Sequence, residues 1–107
     1  MAAELDEVRR HVRAFYKSAS RSLPIKKILL YGSWTKGHPR EDSDIDVAVV
    51  IDDADHTRRV ELGAQLFHYT IPIDTRIEPR CIFWDEYLHP EPASILAEIL
   101  RTGIEIV

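Results

Sequence analysis

The sequence has little cysteine and no long apolar run. Its single cysteine, Cys81, cannot form a disulfide within the chain, and no Cys/His spacing typical of a metal site surrounds it. We therefore expect a buried thiol in a reducing compartment. No apolar stretch is long enough to span a bilayer, and the first residues are charged from Glu4 onward, so neither a membrane helix nor a signal peptide is predicted. These features favour a cytoplasmic protein without membrane association.

The sequence also lacks an excess of basic charge. Its formal net charge is −4 and its pI is near 5.7, whereas domains that bind long nucleic acids usually carry a basic stripe. With 107 residues, 45% of them hydrophobic and 30% charged, residues 1–107 are expected to form a single globular domain. A domain of this size leaves little surface for a separate acceptor-binding module. Any second substrate is therefore expected to be small or to be presented by a partner.

Apolar periodicity predicts an α/β (α+β) fold, with helices packed against a small mixed sheet. Apolar residues at helical spacing indicate a first helix over residues 3 to 22, and β-branched runs indicate strands. The three predicted strands are Ile25–Tyr31, Ile45–Ile51 and Ile71–Ile77. The other predicted helices are a short one at residues 33–37, one at 55–69, and one that begins at Pro92 and ends at Gly103.

Two acids at the start of the second predicted strand form the core of a candidate metal site. Asp44 and Asp46 are separated by one residue, so the strand period of two directs both carboxylates to the same side. Magnesium prefers oxygen ligands and usually combines one or two carboxylates with waters and substrate phosphates. The pair therefore predicts a magnesium and triphosphate site.

The end of the first predicted strand is a candidate phosphate site. Gly32 and Ser33 lie where a strand turns into a short helix, and such a junction exposes backbone N–H groups that phosphate can approach. Lys36 and Arg40 follow in the loop, where they either neutralise phosphate charge or remain solvated. Trp34 is compatible with stacking on a base and with core packing.

A third acid, Asp74, lies on the third predicted strand, where neighbouring strands would bring it beside Asp44 and Asp46. Three crowded carboxylates repel one another unless a cation lies among them. Asp74 is therefore predicted to act as a third metal ligand or as the base that accepts a proton from an attacking hydroxyl. Arg76 shares its face by the same period of two.

Gly32-Ser33, followed after ten residues by Asp44-Ile45-Asp46, resembles the signature of the DNA polymerase β-like nucleotidyltransferase superfamily. The small size is similar to its minimal nucleotidyltransferase branch. This resemblance implies a nucleotidyltransferase fold, phosphate binding by Gly32 and Ser33, and magnesium binding by Asp44 and Asp46. It also implies ATP as the nucleotide donor, while the third acid is less firmly matched because its spacing varies in the family.

The same resemblance implies a biological role. Minimal nucleotidyltransferases are commonly the antitoxin partner of a HEPN-domain toxin, and some transfer AMP from ATP to a tyrosine hydroxyl of that toxin. The alternative from another functional class is a non-catalytic antitoxin that neutralises its partner by complex formation. Whether the chain forms homo-oligomers or hetero-oligomers stays open.

Overall fold

The computed structural model describes residues 2–35 and 44–107. The described helices and strands, in chain order, are α1 (Ala2–Ala19), β1 (Ile25–Tyr31), β2 (Ile45–Ile51), α2 (Arg59–Thr70), β3 (Ile77–Phe83), α3 (Trp84–Leu88), α4 (Ile95–Thr102) and β4 (Ile104–Glu105). Short 3₁₀ helices at Gly32–Thr35 and His56–Arg58 follow β1 and precede α2. None of the described helices is both long and apolar enough to cross a membrane.

The four strands form one mixed sheet in the order β3-β2-β1-β4. β1 is antiparallel to β2 and to β4, whereas β2 and β3 run parallel. The register places Tyr31 of β1 opposite Asp46 of β2, and Asp46 opposite Glu78 of β3. One row of the sheet therefore carries three polar side chains on the same face.

The two faces of the sheet are covered differently. One face carries buried residues such as Leu30, Val47 and Val49, and it packs against α1 and α2 in the larger apolar core. The opposite face is covered at one end, where Ala48, Val50 and Ile82 form a second cluster together with residues of α4. At its other end this face carries polar residues, since Asp46 is half-buried and Glu78 is exposed. Because Glu78 is exposed, solutes can reach this polar end of the sheet.

The first two strands have the bounds that the sequence predicts, and their burial patterns explain why. β2 has six buried positions among its seven residues, which is the environment that a continuous β-branched run requires. α4 starts at Ile95 rather than at Pro92 because the Ser94 side chain accepts a hydrogen bond from the backbone N–H of Ala97 at 3.1 Å. The predicted mixed sheet with packed helices is confirmed, while α3 and β4 are additions that the sequence analysis did not anticipate.

The prediction of a third strand at Ile71–Ile77 is wrong. α2 extends to Thr70, Ile71 is 66% exposed, and the strand begins only at Ile77. Residue burial then alternates along Ile77–Arg80, with Ile77 and Pro79 inside. A proline fits here because β3 lies at the edge of the sheet and pairs only with β2, so no second neighbour needs the missing N–H.

Candidate active site

Gly32 ends β1 and brings the backbone against the carboxylate of Asp46. Its φ angle of +80° lies in the left-handed region that side chains disfavour. A Cβ atom at this position would also lie 2.4 Å from Oδ2 of Asp46, closer than carbon and oxygen can approach. Two independent constraints therefore require glycine at residue 32: the positive φ angle and the closeness of the Asp46 carboxylate.

Asp46 lies in a crowded acidic environment. Burial raises the pKa of its carboxyl group, the negative charge of Asp44 raises it further, and the nearby Arg80 guanidinium partly offsets the rise. Partial desolvation raises the pKa of Glu78 although this residue is exposed, and the charges of Asp44 and Asp46 and a side-chain hydrogen bond with Asp44 raise it further. The neighbouring negative charges therefore oppose the ionisation of Asp46 and Glu78.

Asp74 is held by a different set of partners. It lies in the turn before β3, and its side chain is 9% exposed. Its Oδ2 accepts hydrogen bonds from Nη2 of Arg76 at 2.7 Å and from Nδ1 of His11 on α1 at 2.8 Å. The Arg76 guanidinium, followed by His11, holds the pKa of Asp74 well below its usual range despite the opposing effect of burial.

The predicted placement of Asp74 on the third strand is wrong, because that strand starts three residues later, at Ile77. The residue that the parallel register places beside Asp46 is Glu78. Its signal in the sequence was the alternation of apolar Ile77, Pro79 and Cys81 with charged Glu78 and Arg80, which has the strand period of two. Pro79 within this segment argues against a central strand but is compatible with an edge strand.

The positively charged side chain of Arg80 also lies on this face of the sheet. Arg80 follows Glu78 by two residues, so it projects from the same side of β3. Its Nε donates a hydrogen bond to the Tyr31 hydroxyl at 3.2 Å. Tyr31 and Arg80 belong to the two strands that flank β2, so this hydrogen bond crosses β2 where Asp46 and Ala48 lie. The bond separates the carboxylates from the apolar cluster under α4.

The Gly32–Thr35 turn positions the remaining predicted residues that the structure describes. Ser33 is half-buried next to Gly32, and the Thr35 hydroxyl closes the turn by donating to the Gly32 carbonyl at 2.8 Å. Trp34 is buried in the larger core with the Arg76 guanidinium 5.9 Å from its ring centre, so it packs in the core. Lys36 and Arg40 lie outside the described residues.

Asp44, Asp46 and Glu78, called the acidic cluster below, have side chains of the type that binds a hard cation. Carboxylate oxygens are the protein ligands that Mg²⁺ prefers. Within residues 2–35 and 44–107, no three histidine, cysteine, aspartate or glutamate side chains already converge as a metal-binding set. The negative charges of Asp44 and Asp46 lie close enough to Glu78 to affect its carboxyl group, and a cation bound among the three acids would offset their repulsion.

A comparison with protein-family models shows the family of the chain. The model described as polymerase beta nucleotidyltransferase matches residues 16–107, which include Gly32, Ser33, Asp46 and Glu78. The chain belongs to this nucleotidyltransferase family. The match covers most of the chain and confirms the family-level prediction, while no curated protein matches the chain in sequence.

Solved structures with the same fold support this nucleotidyltransferase assignment at the level of architecture. A protein of Sulfolobus solfataricus described as a candidate nucleotidyltransferase superposes with a TM-score of 0.72 at 11% identity, covering 97% of this chain and 83% of the other. A chain from a toxin-antitoxin crystallised with AMP-PNP superposes with a TM-score of 0.57 at 20% identity, covering 92% and 72% respectively. At these identities the likeness establishes a shared fold.

Proposed function

We propose that this nucleotidyltransferase transfers AMP from ATP to an acceptor hydroxyl in a magnesium-dependent reaction. The observation that carries the proposal is the acidic cluster of Asp44, Asp46 and Glu78, which lies beside the backbone of Gly32 on the accessible end of the sheet. Family membership supplies the reaction class, and the cluster supplies side chains suited to it.

Magnesium would be held by Asp44 and Asp46, with Glu78 in the role that the sequence analysis gave to Asp74. Bound there, the ion would neutralise phosphate charge and favour departure of pyrophosphate. Glu78 acts as the third ligand or as the base that accepts the proton of the acceptor hydroxyl. Its pKa, raised by partial desolvation and by its acidic neighbours, makes it a stronger proton acceptor than an ordinary glutamate.

The turn that follows β1, Gly32–Thr35, would bind the leaving group of the reaction. The acceptor oxygen forms a bond to the α-phosphorus, the bond from that phosphorus to pyrophosphate breaks, and the hydroxyl proton passes to the base. Gly32 and Ser33 hold the departing phosphates through backbone N–H groups and the serine hydroxyl. Lys36, which follows Thr35 in the sequence, would add positive charge for the same phosphates.

For the acceptor, we propose a tyrosine hydroxyl on a HEPN-domain toxin, so that modification makes this chain the antitoxin. Support comes from the resemblance of the Gly-Ser and Asp-x-Asp pattern to minimal nucleotidyltransferases and from the fold shared with a chain of a toxin-antitoxin solved with AMP-PNP. An acceptor supplied by a partner also agrees with the small size of the domain.

One experiment tests the reaction. The chain is purified with the protein that associates with it, incubated with Mg²⁺ and ATP labelled at the α-phosphate, and the partner's intact mass is recorded. Wild type should add one or more AMP masses, and Asp46→Asn or Glu78→Gln should reduce labelling at least about a hundredfold. Asp52→Asn, which changes an exposed acid just after the opposite end of β2, should label like wild type. Equal labelling by Asp46→Asn and wild type would remove the mechanism.

A second candidate function is neutralisation by binding alone. It is favoured by an apolar stripe on the exposed side of α2, where Val60 is 84%, Phe67 is 49% and Ile71, just after the helix, is 66% exposed. Asp44→Asn combined with Asp46→Asn distinguishes the two functions. If cells carrying this double variant remain protected while the complex still forms, binding is the function; if protection is lost while the complex persists, transfer is the function.

A further inference from the structure

We infer that Arg80, oriented by Tyr31, binds the α-phosphate of the nucleotide. The inference rests on the proposed function and adds a residue that neither the Gly-Ser turn nor the Asp-x-Asp pattern contains. The observation behind it is the hydrogen bond from Arg80 Nε to the Tyr31 hydroxyl at 3.2 Å, which places a guanidinium beside Asp46 on the accessible face of the sheet.

The register of the sheet gives the order of groups across the site. Gly32 continues β1 at one side, Asp46 lies on the central strand β2, and Glu78 and Arg80 lie on β3 at the other side. Adjacent strands are about 4.8 Å apart, so β1 and β3 are separated by about 10 Å. A triphosphate whose terminal phosphates contact Gly32 and Ser33 would thus extend its α-phosphate toward the β3 side of the carboxylates.

Arg80 has the chemistry for a phosphate at that place. It is exposed, and among the described residues it makes no salt bridge, although it lowers the pKa of Asp46 through its charge. Tyr31 engages Nε, and the terminal nitrogens of the guanidinium provide further donors. Arginine forms two parallel hydrogen bonds with phosphate, which a lysine cannot do.

Tyr31 acts as a positioning residue in this arrangement. Its side chain packs against the second apolar cluster, so the ring is supported from below while the hydroxyl accepts from Arg80. The small side chain of Ala48, which pairs with Arg80 in the register and is fully buried, leaves room above β2 for this contact. The guanidinium is therefore held on the site face instead of extending into solvent.

The test separates the phosphates by using three probes, each titrated in the presence of Mg²⁺: ATP, AMP and pyrophosphate. AMP retains the α-phosphate without the other two, and pyrophosphate occupies the terminal sites without a nucleoside. Arg80→Gln should weaken ATP and AMP about tenfold and change pyrophosphate less than about twofold. Ser33→Ala should show the opposite pattern, with pyrophosphate and ATP weakened and AMP retained.

Further variants exclude a merely structural effect. Arg80→Lys keeps the charge and should restore part of the AMP affinity, while Tyr31→Phe should weaken AMP by a few fold because the guanidinium is less constrained. Arg13→Gln, on the exposed side of α1 over the opposite face, should bind all three probes like wild type. Unfolding midpoints of every variant confirm that the fold persists.

The outcomes are distinct. Loss of AMP binding with pyrophosphate binding retained in Arg80→Gln supports the inference. Equal weakening of all three probes, or no change in AMP, overturns it while leaving the proposed function in place. Failure of the wild type to bind any of the probes in the presence of Mg²⁺ overturns the proposed function itself.

Discussion

Glu78 lies directly opposite Asp46 in the parallel register of β2 and β3, and the pKa of each carboxyl group is raised. Asp74 lies only four residues earlier in the chain. Its carboxylate accepts hydrogen bonds from both Arg76 and His11, and these contacts lower its pKa. The two acids therefore have opposite electrostatic environments. The charged form of Glu78 is disfavoured by its acidic neighbours, whereas the charged form of Asp74 is stabilised by Arg76 and His11.

Replacing Gly32 with alanine should destabilise the fold and abolish nucleotide binding. The added Cβ would occupy a left-handed conformation and meet Oδ2 of Asp46 at 2.4 Å, so the turn or the acid must shift. A loss of about 1–3 kcal/mol in unfolding free energy is expected, measured by urea denaturation. Gly63→Ala is the matched control, because a Cβ there meets no atom within 4 Å. In that α2 position alanine should instead add about 0.5–1 kcal/mol. Equal stability of Gly32→Ala and wild type would contradict this account of the turn.

Asp74→Asn should lower stability near neutral pH and make unfolding less sensitive to acid. Because the pKa of Asp74 is depressed in the folded state, its ionised form contributes stability above the unfolded-state pKa of about 4, and that contribution is lost as the pH falls below it. Loss of the charged hydrogen bonds should cost about 1–3 kcal/mol at pH 7. The measurement is unfolding free energy between pH 2.5 and 7, with exposed Asp52→Asn as control. Parallel curves for Asp74→Asn and wild type would show that the acid has no such role.

The sequence was informative where local pattern and packing agree. The β-branched run Ile45–Ile51 forms a strand between two neighbours, and Gly32 with its positive φ forms the predicted turn. The strand prediction failed at Ile71–Ile77. The alternating Ile residues there follow directly after α2, which ends at Thr70, and the strand begins only at Ile77. The alignment of Asp46 with Glu78 depends on parallel pairing between distant segments, which local periodicity does not encode. Pro79 is acceptable in β3 because β3 is an edge strand, and this position in the sheet also depends on tertiary pairing.

Cys81 should be chemically inert in the folded protein. Its side chain is buried on β3, and burial raises the pKa of the thiol to about 11, so little thiolate exists at neutral pH. A disulfide reagent such as 5,5′-dithiobis(2-nitrobenzoate) at pH 7.5 should modify less than about a tenth of the protein under native conditions. In 6 M guanidinium chloride, one equivalent should react rapidly. Fast modification without denaturant would contradict the burial of this strand.

The central claim is that Glu78, rather than Asp74, completes the magnesium and nucleotide site with Asp44 and Asp46. The direct measurement is the affinity for ATP with and without Mg²⁺ in wild type, Glu78→Gln and Asp74→Asn, at a temperature where all three are folded. The account predicts that the factor by which Mg²⁺ increases ATP affinity is at least about tenfold smaller in Glu78→Gln than in wild type. In Asp74→Asn this factor should equal that of wild type. Retention of that gain by Glu78→Gln together with its loss in Asp74→Asn would contradict the account.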